Sequence, residues 1–313
     1  SMLSLKNIDY PKYQNSFNYK DSIFLIGSCF AENINECLNS DNFKTIANPF
    51  GILFNPKSIA NILDRILSKK YYNENDFFFF DNYYWCYEHH GSLAQTDINN
   101  YINDSNKLID STYKYLSNCS LLLITFGTAY VYTINNKVVS NCHKQPSNLF
   151  NSFNLSIDEI THDYSNLFQK IKMINPKIQI ILTISPVRYI SQGFVENNVS
   201  KSILHLAKHN LINKFDYVYY FPSFEYFIDI FRDYSFFNED GIHPNKIAID
   251  QIYKLFLNHI LDLESLNYLS DWFELKKLLN HKILHPLSLS NIKFQDKLNL
   301  KKEVFISKYG INL

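Results

Sequence analysis

The chain has 313 residues, 46% of them hydrophobic, with 30 basic and 30 acidic side chains and a formal net charge of zero. That length and apolar content suit one large α/β domain or two small ones. The balanced charge leaves no electrostatic footprint for nucleic acid or anionic lipid, and no apolar run approaches a membrane span, so neither partner is expected.

Residues 23–27 are a short apolar run that predicts a first strand, broken at Gly27-Ser28. Phe30, Ile34, Cys37 and Leu38 then recur at the spacing of one helical face, which predicts a helix over 30–39. Residues 43–47 read as a short second strand ending at Asn48-Pro49. Asn55-Pro56 opens a helix with Pro in its first turn and Ile59, Ile62, Leu63, Ile66 and Leu67 on one face. Between 70 and 105, the aromatic runs 77–80 and 83–85 suggest a hairpin, with His89-His90-Gly91 in a loop. Residues 121–125 are continuously apolar, as expected of a strand buried on both faces.

Asn135-Asn136 reads as a turn joining strands at 131–134 and 137–140. Ser156 and Glu159 form a capping box, and the helix they start carries Ile160, Tyr164, Leu167, Phe168 and Ile171 before Asn175-Pro176 ends it. A strand follows at 178–184, a helix at 200–213, a strand at 217–221, and a helix from Pro244 to about 261. Strands alternating with helices at this spacing predict an α/β fold with a mostly parallel sheet. Residues 1–261 are expected to form one domain. Residues 262–313 depart from the rhythm and are expected to form a mixed helical extension packed on it.

Ser28 falls on the turn between the first strand and the first helix, beside the positive end of a helix dipole, where developing negative charge is favoured. A serine there is most often an N-cap. It becomes a nucleophile when a base reaches it, and Asp240-Gly241-Ile242-His243-Pro244 offers one far along the chain. Asp240, three residues before His243 at a helix entrance, is placed to orient the imidazole. The plainer reading of that pair is an acidic residue near a helix start followed by a packed histidine. The chain has only 7 glycines, yet it places them at 27, 51, 127 and 241, each beside a candidate site segment.

These segments resemble the GSCFA family, a branch of the SGNH/GDSL hydrolase-like proteins. The resemblance rests on Gly27-Ser28-Cys29-Phe30-Ala31, Asn48-Pro49-Phe50-Gly51-Ile52 and the block from Thr125 to Tyr132. Asn141-Cys142-His143-Lys144, Ser185-Pro186-Val187-Arg188, Ser200-Lys201, Phe221-Pro222-Ser223-Phe224-Glu225 and Arg232-Asp233-Tyr234 extend it in order over roughly residues 20 to 260. It implies a three-layer α/β/α, flavodoxin-like (SGNH hydrolase-like) fold and an ester-cleaving or acyl-transferring serine. The expected activity is O-acyl ester hydrolysis, acetyl foremost, on a small-molecule or glycan ester. An O-acyltransferase using the same serine and a catalytically silent carbohydrate-binding or scaffold protein are the alternatives. No cofactor is expected. Gly51 matches the place of the oxyanion-hole glycine. The superfamily's Asn-bearing block resembles residues 126–129, which hold no Asn, leaving Thr128 or Asn141 as the further donor.

The five cysteines are odd in number and form no Cys-x-x-Cys pair, against a disulfide framework or zinc knuckle. Cys29 is expected to be buried packing, with a raised pKa. His89, His90 and His143 lack a carboxylate at a familiar metal spacing, so no metal is expected, and His90 and His143 are read as substrate contacts. His205 and His209 are read as surface residues. Arg188, at a strand end, is read as a clamp for a carboxylate or phosphate, or else as a salt-bridge partner of Asp233 or Glu225. A cytoplasmic location is expected. Residues 1–6 form no apolar signal region, and Ser1-Met2 reads as an added pair, which leaves room for a leader already removed.

Overall fold

The computed structural model describes Ile8, Tyr13 and residues 16–313; the expectation about a leader concerns residues 1–6, which lie outside the described residues. Strand β1 (Ser22–Gly27) leads directly into helix α1 (Cys29–Ser40), and β2 (Lys44–Ala47) returns parallel to β1. Helix α2 (Pro56–Leu67) starts on an Asn55 side chain that accepts from Ser58 N, with Pro56 in the first turn where its missing N–H costs nothing. The aromatic runs form the hairpin β3 (Phe78–Phe80) and β4 (Tyr83–Trp85).

The long helix α3 (Ile98–Asn118) follows, and its periodicity escapes a hydrophobic reading. Tyr101, Ser105, Ile109, Thr112 and Leu116 are its buried positions, so small polar side chains hold two of the core-facing sites.

Strand β5 (Leu121–Phe126) is buried throughout. A small antiparallel sheet follows, of β6 (Tyr130–Ile134), β7 (Lys137–Val139) and β8 (Asn151–Asn154), with Asn135 and Asn136 both at positive φ in the β6–β7 turn. Helix α4 (Ile157–Ile174) carries the expected capping box. Strand β9 (Gln179–Ile184), helix α5 (Phe194–Lys214) and strand β10 (Val218–Tyr220) complete the sheet. α5 starts six residues before the sequence pattern suggests, because Phe194 and Val195 in its first turn are exposed and carry no inward stripe. A single turn, α6 (Ser223–Glu225), then a π-turn and α7 (Lys246–Ile260) lead to α8 (Leu263–Leu279) and α9 (Leu289–Tyr309).

The central sheet has the order β10-β9-β5-β1-β2, all parallel. Counting only its own strands along the chain, that is the 2-1-3-4-5 order of a flavodoxin-like doubly wound fold. The pleat divides the core. Phe24 and Ile26 of β1 join the apolar cluster under α2 to α5, whereas Ile23 and Leu25 join the cluster under α1, α7, α8 and α9. α7 and α8 are held on that second face through Asp41, just past α1. Its carboxylate accepts from Tyr253 Oη (2.8 Å), Trp272 Nε1 (2.9 Å) and Lys276 Nζ (3.1 Å), while its carbonyl accepts from Tyr268 Oη (2.7 Å). In this topology the chain leaves β1 first toward β2 and later toward β5 on the other side. The crevice past the carboxyl ends of β1 and β5 is therefore the switch point where such folds bind ligands.

Candidate active site

Ser28 stands at that switch point. Gly27 has φ +134°, and a Cβ there would lie 2.1 Å from the Thr125 carbonyl oxygen, so only glycine lets β1 run this close to β5. Gly27 N donates to Asn48 Oδ1 (2.8 Å), Gly27 O accepts from Leu53 N (3.0 Å), and Ser28 N donates to Thr125 O (3.2 Å). The turn is thus tied to both neighbouring strands. Ser28 occupies the N-cap position of α1, yet its side chain caps nothing. The residue is fully buried and its Oγ finds no partner among the described residues. A hydroxyl that forgoes a cap bond and stays unpaired in the interior has a cost of about 1–3 kcal/mol, which a structural role does not explain.

Thr125 sits beside Gly27 in register, and its Oγ1 is likewise buried and unpartnered. Thr183, next in the same row, is instead satisfied by Phe221 O (2.9 Å) and by Ser223 Oγ.

The structure brings Asp240 and His243 together. Asp240 Oδ1 accepts from the backbone N–H groups of Ile242 (2.8 Å) and His243 (3.0 Å), and Oδ2 lies 2.6 Å from His243 Nδ1. Those backbone donors, with the imidazole, pull the Asp240 carboxyl down to about 2. With Nδ1 engaged, Nε2 is the nitrogen left to exchange a proton. The loop is braced by a bridge between Phe237 and Pro244 and a bond from Asn238 N to His243 O (2.8 Å). Phe237 in turn packs on Phe227 (ring centroids 4.5 Å apart) and lies under the Arg188 guanidinium (5.7 Å). Since Arg188 follows β9, this anchors the Asp240–His243 loop to the carboxyl edge of the sheet, and α7 behind it packs on α1. Arg188 makes this aromatic contact rather than a salt bridge to Asp233 or Glu225.

Each remaining candidate residue has a definite place. Gly51, at φ +94°, donates its N–H to Asn48 O (2.9 Å), and a Cβ on it would lie 2.2 Å from His90 Cβ. The backbone N–H groups of Gly127 and Thr128 both donate to Phe54 O (2.9 Å each), and Thr128 Oγ1 pairs with Ser200 Oγ (3.0 Å). Asn141 Oδ1 accepts from His143 N (2.8 Å). His143 Nε2 donates to Cys86 O (2.6 Å), and burial lowers its pKa. His90 N donates to Phe50 O (2.9 Å), and its Nδ1 lies 2.8 Å from Ser92 Oγ.

His89 is wholly buried against Phe50, with Nδ1 on Tyr101 Oη (2.8 Å); burial lowers its pKa to about 3. His205 is half-buried and not a surface residue: it packs on the Phe224 ring 3.9 Å from Glu225, and burial lowers its pKa to about 4. Cys29 is half-buried, and burial raises its pKa against the opposing pull of nearby Lys201. Among the described residues, no group of three or more His, Cys, Asp or Glu is arranged to hold a metal ion, and no helix is long and apolar enough to cross a membrane.

Two groups at this edge receive no role in the sequence reading, although Ser200-Lys201 is one of its matching segments. Tyr189, after β9, lies over Gly127: a Cβ there would be 2.4 Å from its hydroxyl, which is buried and unpartnered. Lys201 points inward from α5. Its signal was available, since Asn197, Lys201, Leu204, Ala207 and Leu211 share one helical stripe. Beside them opens a cleft of about 380 Å³ lined by Phe54, Thr128, Tyr130, Tyr132, Asn141 and Tyr189, among others.

A flavodoxin-order sheet with a glycine–serine turn at its switch point defines the class of protein. The chain belongs to the GSCFA family, whose model matches residues 22–256. No curated protein matches it. Among solved structures, it is similar to a family 3 carbohydrate esterase of Clostridium thermocellum, at 12% identity over 80% of this chain and 97% of that one, with a TM-score of 0.33. A family 3 carbohydrate esterase from Talaromyces cellulolyticus matches at 9% identity over 80% and 99%, with a TM-score of 0.35. An acetyl xylan esterase (Est2A) from the rumen bacterium Butyrivibrio proteoclasticus matches at 11% over 78% and 64%, with a TM-score of 0.37.

Proposed function

We propose that the protein is a serine-dependent O-acyl ester hydrolase, with acetyl as the acyl group and a carbohydrate-type alcohol as the leaving group. The observation that carries this reading is the Ser28 hydroxyl, buried and unpaired at the N-terminus of α1. The Asp240–His243 pair, anchored to the same sheet edge, supports it.

His243 makes no hydrogen bond to Ser28 Oγ in this structure, so in this mechanism it must close onto the serine; Ser28 Oγ then attacks the ester carbonyl while His243 Nε2 takes its proton. Asp240 holds Nδ1 and stabilises the imidazolium that forms. The tetrahedral intermediate collapses, the alcohol leaves with the proton from Nε2, and water hydrolyses the acyl-serine by the reverse sequence. The positive end of α1 and the Ser28 N–H face the oxyanion. Of the backbone donors considered, that N–H is the least committed, at 3.2 Å from its acceptor, whereas Gly51 and Thr128 would each exchange a 2.9 Å carbonyl bond for the oxyanion. Because Ser28 is fully buried, acylation requires the segment that covers it to open.

The same burial and the committed N–H groups favour one second reading, a catalytically silent protein on this fold. Hydrolysis of p-nitrophenyl acetate by purified variants separates the two. Under the hydrolase reading Ser28→Ala loses nearly all activity and Cys29→Ala keeps most of it, since the Cys29 thiol is held protonated by burial. Equal, background rates for wild type and Ser28→Ala support the silent reading.

A further inference from the structure

Lys201 is 4% exposed, and no carboxylate among the described residues pairs with it. Its Nζ donates to two backbone carbonyls, Gly127 O and Ser185 O, each at 2.6 Å. Those carbonyls lie one residue beyond the carboxyl ends of β5 and β9. The Tyr189 ring centroid is 5.0 Å from the same nitrogen. Its neighbour Ser200 receives Ala129 N (2.7 Å) and pairs with Thr128 Oγ1, so one turn of α5 fastens the whole segment after β5.

An uncharged donor would satisfy two carbonyls without the cost of burying an ammonium, which is several kcal/mol unless the charge is used. Here the charge has uses: two short charge-assisted bonds and an aromatic face. The titratable and charged groups facing it are Cys29 on α1, Arg188 and Tyr189 after β9, and His205 one turn along α5. Burial lowers the Lys201 pKa to about 7, against a weaker opposing influence of Cys29, and Arg188 lowers it further.

We propose that Lys201, as an ammonium, is a positioning residue for Ser28, tying the ends of β5 and β9 together through Gly127 and Ser185 beside the Ser28–Cys29 turn. This inference rests on the hydrolase reading. Loss of the proton removes one donor and the charge from both carbonyl bonds and ends the attraction to the Tyr189 ring. The backbone that seats Ser28 against Thr125 then loosens. Misplacement on this scale lowers rates by about 10- to 100-fold.

The test follows kcat/KM for p-nitrophenyl acetate against pH in the wild type, Lys201→Gln and Lys201→Arg. Titration of the lysine side chains by NMR in isotope-labelled wild type accompanies it. The wild type should lose activity on the alkaline side with the midpoint at which Lys201 titrates. Lys201→Gln should be at least about 10-fold slower below that midpoint and show no alkaline decline. Lys201→Arg, permanently charged, should keep a rate that does not fall at alkaline pH.

An alkaline decline that persists in Lys201→Gln, or a uniform drop with the pH profile unchanged, would reduce Lys201 to a structural role and overturn the proposal. So would a Lys201→Gln enzyme as active as the wild type. If the variants do not fold, the wild-type comparison decides alone: coincident midpoints support the proposal and separate ones overturn it. Parallel titration with a fluorophosphonate distinguishes the two readings. Wild type that is never labelled at Ser28 removes the hydrolase reading and this inference together, whereas labelled wild type with an unaltered Lys201→Gln removes only the inference.

Discussion

Ser28→Ala should make the protein more stable while abolishing its activity. The serine is fully buried, sits at an N-cap position without capping, and leaves its Oγ unpaired. Deleting an unsatisfied buried hydroxyl recovers about 1–3 kcal/mol of desolvation. The void left by one oxygen returns less than about 1 kcal/mol of that. The expected net is a stabilisation of about 1 kcal/mol, or roughly 1–2 °C in Tm for a chain of this size. A serine serving as a cap would change sign, losing about 0.5–2 kcal/mol on the same substitution. Urea unfolding followed by far-ultraviolet circular dichroism reads the difference, provided the slope of the transition stays constant. A midpoint lowered by more than about 0.5 kcal/mol equivalent would overturn this expectation and return Ser28 to a structural role.

Asp240→Asn should reduce ester turnover by about 10²-fold or more with the unfolding midpoint little changed, because Asp240 is exposed and acts by orienting Nδ1; unaltered steady-state kinetics would remove it from the mechanism. Asp41→Ala should destabilise by about 3–5 kcal/mol in urea unfolding, since it strands the buried donors of Tyr253 and Trp272 and frees α8 from α1; a loss below about 1 kcal/mol would show that those helices are held by apolar packing alone. Lys201 makes stability depend on pH. Its folded pKa, about 7, lies below the ordinary lysine value of 10.5, so between those values the unfolded chain holds more proton than the folded one. Stability due to this group therefore rises with pH, by up to about 1.4 kcal/mol per unit above pH 7. The difference between wild type and Lys201→Met, in which the contribution of the buried thiols is common to both proteins and cancels, should show that slope when measured from pH 7 to 8.5; parallel curves would contradict it.

The parts of the candidate site that are local in sequence were legible in it as local structure. Gly27-Ser28 lies between an apolar run and a helical stripe, so the strand–turn–helix follows from residues a few positions apart. Asp240 and His243 are three apart, and their 2.6 Å contact needs no more than the turn at Gly241. The β6–β7 hairpin and the α4 capping box are local in the same way.

What depends on distant partners was not legible. That Phe54 O takes the N–H groups of Gly127 and Thr128, or that Gly51 packs on His90, follows only once separate loops meet at the sheet edge. Helix α3 hides because Ser105 and Thr112 occupy inward positions. Lys201 was passed over for a related reason: a charged side chain on an inward stripe reads as solvated until the two carbonyls that receive it are in place.

Whether Ser28 is an activated nucleophile decides the proposed function. Incubating the folded protein with a fluorophosphonate and locating the adduct by peptide mass spectrometry answers that question. Labelling at Ser28 should be stoichiometric and time-dependent, lost in Ser28→Ala, and slowed at least about 10²-fold in His243→Gln. Labelling at another residue, or none at Ser28 in protein shown to be folded, would mean that Ser28 is not the nucleophile.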